Sequence, residues 1–236
     1  MTTTKKLKKK AAAAAEKRER KERRFAAEET YASRVAIGAG MLGSLALGGG
    51  VYATWIRDQS ASYGGYLVAA GALVLGGALY RTGADPGTLR VGDAGVAYER
   101  SNELTRVLWC DIEKLSLDGD RVNVKGKSGS LSFPRAAFPK GLALLAAEAG
   151  KRVPDVVKLS RTEIEALGSP KDSNGELVPI EEIQVTGRHC KATDKPISFE
   201  RDARLCPNCC EVYLKDQVPK KCLTCGQELG TRATPA

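Results

Sequence analysis

The stretch CPNCCEVYLKDQVPKKCLTC, residues 206–225, holds two Cys-x2-Cys pairs, Cys206/Cys209 and Cys222/Cys225, with twelve residues between Cys209 and Cys222. Each pair offers two thiolates from one tight turn. A short hairpin between the pairs lets the two turns face one another, so four thiolates surround one ion tetrahedrally, as structural zinc prefers. Six of the seven cysteines lie between Cys190 and Cys225. Such crowding into paired units favours a metal in a reducing compartment over a disulfide framework. The segment has few apolar residues, chiefly Ile197, Phe199, Leu205, Val212, Tyr213, Leu214 and Val218. Metal binding then supplies the missing folding free energy, about 10–16 kcal/mol in comparable peptides. The expectation is one structural Zn2+ on Cys206, Cys209, Cys222 and Cys225. A rubredoxin-like iron or a redox-active thiol pair is the alternative use of the same ligands.

Three further residues carry metal-ligand chemistry nearby: His189, the only histidine, with Cys190 and Cys210. Together they form a candidate second site. Cys210 stands where the companion turn has Gly226, which makes it the replacement of a turn glycine; Cys190 is left open between ligand and packing residue. The run GRHCKATDKPISFERDARLCPNCCEVYLKDQVPKKCLTCG resembles a zinc ribbon and also a degenerate RING finger. In the cross-brace of that family, Cys206/Cys209 match the second ligand pair and Cys222/Cys225 the fourth, and those pairs share one ion. Thr193 and Asp194 follow Cys190 where a second cysteine belongs, and Leu214 follows Tyr213 where a histidine is common. The resemblance therefore implies one complete site in a module spanning residues 187–230.

The rest of the chain positions this module. Residues 1–34 contain twelve Lys/Arg and five Glu with many alanines, and the whole chain carries a net charge of +9. Ala and long charged residues are good helix formers, so a basic helix is expected over 1–34, facing anionic lipid headgroups or solvent. Val35–Ile56 then runs without a charge for 22 residues, and after RDQSAS a second apolar run covers Tyr63–Tyr80. Each is long enough to cross a hydrocarbon core of about 30 Å as a helix. Tyr52, Trp55, Tyr63, Tyr66 and Tyr80 cluster near the ends, as interfacial aromatics do. Ala36, Gly40, Ser44 and Gly48, like Gly64, Val68, Ala72 and Gly76, make small-residue faces suited to packing as a hairpin or between chains. The basic leader predicts cytoplasmic N- and C-termini by the positive-inside rule.

Residues 87–152 read as short β-strands, with an Asp-Gly turn in LDGDRVNV, followed by a helix that carries Phe138, Leu142, Leu145 and Ala146 on one face and stops at Pro154. Cys110 beside Trp109 reads as a small core residue. The strand-then-helix pattern resembles the bacterial pleckstrin-homology-like domains, shortened at the front. Residues 153–186 read as a linker with a capping box at Ser160 and Glu163. The expected fold class is thus an α+β membrane protein of several parts: basic helix, transmembrane hairpin, β domain and zinc ribbon, the last two sharing no ligand and so folding independently.

No paired carboxylates, Gly-rich phosphate loop or Cys–His pairing rises above background as a catalytic site. An interaction role comes first: a membrane-anchored scaffold for a cytoplasmic protein. A RING-like ligase that recruits a conjugating enzyme is the alternative. A nucleic-acid-binding ribbon is the third reading, with no basic-aromatic platform to favour it.

Overall fold

A computed structural model describes residues 20–29, 31–56, 62–82, 87–101, 103–127, 129–180 and 183–235. The chain forms two compact units: residues 27–86, and the segment up to Ala26 together with Gly87–Ala236.

The 27–86 unit is a pair of helices, α1 (Tyr31–Val51, continued by a wider π-helical turn at Tyr52–Ile56) and α2 (Gly64–Thr82). Both are long and apolar enough to span a membrane, over Ser33–Ile56 and Gly64–Arg81. Their large side chains point outward: Leu45, Trp55, Leu73 and Tyr80 are all exposed. The helices touch through glycine. A Cβ on Gly43 would lie 2.8 Å from the Leu75 amide nitrogen, and one on Gly71 would lie 2.8 Å from the Gly43 oxygen, so only glycine allows this approach. The contacting face differs in part from the expected one. Gly40 and Gly64 do touch the opposite helix, whereas Gly48 and Gly76 face open space and Gly43, Gly50 and Gly71 carry the contact.

In the other unit the first strand corrects an expectation. Residues 1–19 of the expected basic helix lie outside the described residues, but Lys21–Ala26 forms a strand, β1, and not a helix. It pairs antiparallel with β2 (Thr88–Gly92), with Ala26 opposite Thr88 and Glu22 opposite Gly92. Helix propensities of ordinary residues differ by only tenths of a kcal/mol, and tertiary contacts override them here. Phe25 is buried in contact distance of a Cβ on Gly141 or Gly175. Glu22, 3% exposed, is held by Arg90 at 3.1 Å and Arg106 at 3.0 Å. The strand missing from the front of 87–152 is therefore supplied from before the two apolar helices.

From β2 the sheet continues through β3 (Gly95–Arg100) and β4 (Glu103–Leu108). A 3-10 corner at Trp109–Asp111 leads to a second meander, β5 (Ile112–Asp118), β6 (Arg121–Gly126) and β7 (Gly129–Pro134). The expected Asp-Gly turn closes β5–β6, with Gly119 at φ +59°, a value that favours glycine. Helix α3 (Pro139–Arg152) follows, with proline at its start and Leu142, Leu145, Ala146 and Ala149 buried. The core packs Trp109, Phe133, Phe138, Leu89 and Leu115, and the Phe133 and Phe138 rings meet edge-on at 6.2 Å. Each such side chain contributes about 1.5–3 kcal/mol by leaving water.

The linker holds more structure than a connector needs. Helix α4 (Arg161–Leu167) carries the expected capping box. Strand β8 (Glu176–Pro179) then returns to β1 and completes a sheet ordered β4-β3-β2-β1-β8. The C-terminal module adds a small sheet of β9 (Ala203–Leu205), β10 (Val212–Leu214) and β11 (Thr234–Pro235), in the order β10-β9-β11.

Candidate metal centre

Three turns of one design make up the C-terminal module. In the turn at Cys206, the Cys206 N–H donates to Glu211 O at 2.9 Å and the Cys210 N–H to Cys206 O at 3.0 Å. The turn at Cys222 repeats this, from Cys222 to Gln227 O at 2.8 Å and from Gly226 to Cys222 O at 2.9 Å. The turn at Cys190 repeats it again, with Lys195 O and with the Asp194 N–H, both at 2.8 Å. The fifth residue of each has positive φ: Asp194 at 56°, Cys210 at 61° and Gly226 at 70°. The flanking pairs correspond too: His189 with Pro196, Leu205 with Val212, and Lys221 with Glu228. Cys190, Cys206 and Cys222 recur at equal spacing in the sequence. That period is the signal by which the first turn, with Thr193 in place of a second cysteine, can be recognised as a copy of the other two. Cys210 occupies the glycine position, as its alignment with Gly226 implies.

The second and third turns bring their thiols together. Cys206, Cys209, Cys222 and Cys225 place all four sulfurs within 4.8 Å of one another. Cys206 Sγ lies 3.7 Å from Cys225 Sγ, and Cys209 Sγ 3.6 Å from Cys222 Sγ. A disulfide holds its sulfurs at about 2.05 Å. A tetrahedral thiolate site with metal–sulfur bonds of about 2.3 Å holds them about 3.8 Å apart. The observed distances fit the metal site, and all four cysteines are free. The group can hold one metal ion, in keeping with a zinc ribbon.

Glu211 and Tyr213, just before and within β10, hold the third turn in place, a role that the sequence reading gave to neither. The buried Tyr213 hydroxyl lies 3.2 Å from Cys222 Sγ and accepts the Leu223 N–H at 2.9 Å. The Glu211 carboxylate, also buried, accepts the Thr224 hydroxyl and the Val212 N–H. Hydrogen bonds from Cys206 and Cys209, and then from Tyr213, hold the Cys222 thiol far below its ordinary range against the effect of burial. Hydrogen bonds with Cys206 and Cys222, with burial, push Cys209 upward. Metal ligation requires the thiolate form, which this surrounding favours at Cys222 and opposes at Cys206 and Cys209.

His189, Cys190 and Cys210 do not join in a comparable group; among the described residues, the four-cysteine set is the one cluster of three or more such donors. His189 is exposed, with Nδ1 2.9 Å from Asp194 O. Cys210 directs its thiol to Asp93 O at 3.5 Å. Cys190 is buried and its sulfur accepts the Leu214 N–H at 3.3 Å. Burial works against its thiolate, but the polar groups around the sulfur, the Leu214 N–H among them, outweigh that and lower its pKa. Cys110 packs in the core as expected, its pKa raised by burial and then by Glu211 and Asp111.

The module is docked on the β domain through both backbone and side-chain contacts. The Cys110 N–H donates to Cys209 O at 2.9 Å. Arg152 donates to Asn208 O at 2.8 Å, Arg188 pairs with Asp111 at 2.6 Å, and Arg20 reaches Thr234 Oγ1 at 2.6 Å. Comparison with protein-family models, with curated protein sequences and with solved structures returned no match.

Proposed function

We propose that this chain is an integral membrane protein whose two spans anchor a cytoplasmic interaction scaffold, built of a pleckstrin-homology-like β domain and a zinc-bearing module. The observation that carries this reading is the pairing of β1 with β2. These neighbouring strands bracket both apolar helices, so the chain must leave and re-enter one compartment. Two spans satisfy that demand and one does not. The basic leader then favours the cytoplasmic side, where thiols stay reduced and ready for metal, and it favours contact with anionic lipid headgroups.

The order of elements supports the pleckstrin-homology-like reading: a four-strand meander, β1 to β4, a three-strand meander, β5 to β7, and a closing helix, α3. Zinc is the ion that best suits four thiolates at these distances. Four protein ligands close its coordination shell, which gives the ion a structural role, since no position remains for water or substrate. A ligase-like cross-brace would need a second ion and therefore ranks behind the scaffold.

An impermeant thiol reagent applied to intact cells tests the topology. A cysteine introduced by Ser60→Cys is expected to be modified and one introduced by Thr3→Cys is not. The reverse pattern, or modification of both, overturns the proposal.

A further inference from the structure

We infer that the metal centre acts as a latch on the β domain, its occupancy setting whether the corner Trp109–Asp111 and the end of α3 are held in place. The inference rests on the reading that the four cysteines hold a metal. Two of the ligands, Cys206 and Cys209, belong to the turn that touches the β domain. Its outward carbonyls are those of Asn208, which accepts from Arg152 at 2.8 Å, and of Cys209, which accepts from the Cys110 N–H at 2.9 Å. Asn208 Nδ2 donates back to Arg152 O at 3.3 Å, and the thiol of Cys210 meets Asp93 O at 3.5 Å. The turn that wraps the metal is therefore the same turn whose backbone docks.

The receiving side is built to respond as a group. Arg152 also donates to Asp93 O at 3.3 Å and to Asp93 Oδ1 at 2.8 Å, and pairs with Glu148 at 3.0 Å. Its guanidinium lies 5.8 Å from the centre of the Trp109 ring, which is fully buried and donates from Nε1 to Gly92 O at 2.9 Å. Three elements thus meet at one turn: the β2–β3 connection at Asp93, the corner at Trp109–Cys110, and the last residue of α3. With the ion removed, the turn loses the restraint that fixes its carbonyls. The contacts at Arg152 and Cys110 loosen with it. The strand ladders and the packing of Phe133, Phe138, Leu142 and Leu145 use none of these bonds, so the release is local.

Trp109 reports it. The chain has two tryptophans, and Trp55→Phe leaves Trp109 as the single emitter. The full chain in this background is purified in detergent, its zinc content is measured, and the zinc is removed with a chelator. The latch predicts a red shift of Trp109 emission and amide exchange at Cys110 faster by about tenfold or more. It also predicts a far-UV circular dichroism spectrum changed by no more than the loss of the small β9–β11 sheet, and reversal of all changes on adding zinc. Arg152→Met is expected to retain the metal and to lose most of the Trp109 response. Unaltered emission and Cys110 exchange in protein shown to have lost its zinc would overturn the latch. Collapse of the whole circular dichroism spectrum would also overturn it, since the ion would then be a global staple. Protein that holds no metal before chelation would overturn the underlying metal reading instead.

Discussion

Ala26 and Thr88 sit opposite one another on neighbouring strands, although both apolar helices lie between them in the chain. The helical hairpin is thus an insertion at the β1–β2 connection, and the β domain is completed only when residues from both sides of it meet.

Phe25→Ala tests that completion. Phe25 is 7% exposed, and its ring lies where a Cβ on Gly141 would touch it. Truncating a phenylalanine in a core costs about 3–5 kcal/mol. Urea unfolding of the full chain, followed through Trp109 in the Trp55→Phe background, should show a clear fall in the midpoint. An unchanged midpoint would mean that β1 does not belong to the sheet.

Tyr213→Phe removes the hydroxyl beside Cys222 Sγ and the acceptor of the Leu223 N–H. Partners of this kind around metal ligands are worth about 10–100-fold in affinity. Competition with a chromophoric chelator should show zinc held more weakly by that order, with the stoichiometry unchanged. Equal affinity would remove Tyr213 from the site.

Glu99 supplies a pH test. Hydrogen bonds from Arg90 and then Thr88 hold its carboxylate below the usual glutamate range. A depressed folded-state pKa gives stability that is fully present above the unfolded value of about 4.3. That stability is lost as pH falls through the folded-state value. Glu99→Gln should therefore be the less stable protein at pH 6 and should lose less on going to pH 3. Comparing the two proteins at each pH cancels the metal loss they share in acid. Parallel curves would contradict the assignment.

What was legible in the sequence was local. The Cys-x2-Cys pairs, the turn at Asp118–Gly119, the helix that stops before Pro154 and the box at Ser160 each need only a few neighbouring residues, and each is found, though the helix starts at Pro139 with Phe138 just outside it. Lys21–Ala26 misled because its residue types favour a helix, while its partners on β2 and β8 lie far along the chain. Tyr213 at Cys222 and Cys209 at Cys110 were hidden for the same reason, since no short pattern announces such contacts. The repeat at Cys190, Cys206 and Cys222 was different. It stood in the sequence, but Thr193 and Asp194 obscured the first copy, and only the shared hydrogen bonds made the three turns alike.

The most direct test of the account is the metal content of the full chain purified under reducing conditions, for the wild type and for Cys222→Ser and Cys190→Ser. The account predicts one zinc per chain in the wild type, its loss in Cys222→Ser, and one zinc retained in Cys190→Ser, whose sulfur accepts a backbone N–H outside the four-thiol cluster. Two zinc ions in the wild type, or loss of metal from Cys190→Ser, would contradict it and bring the cross-brace to the fore.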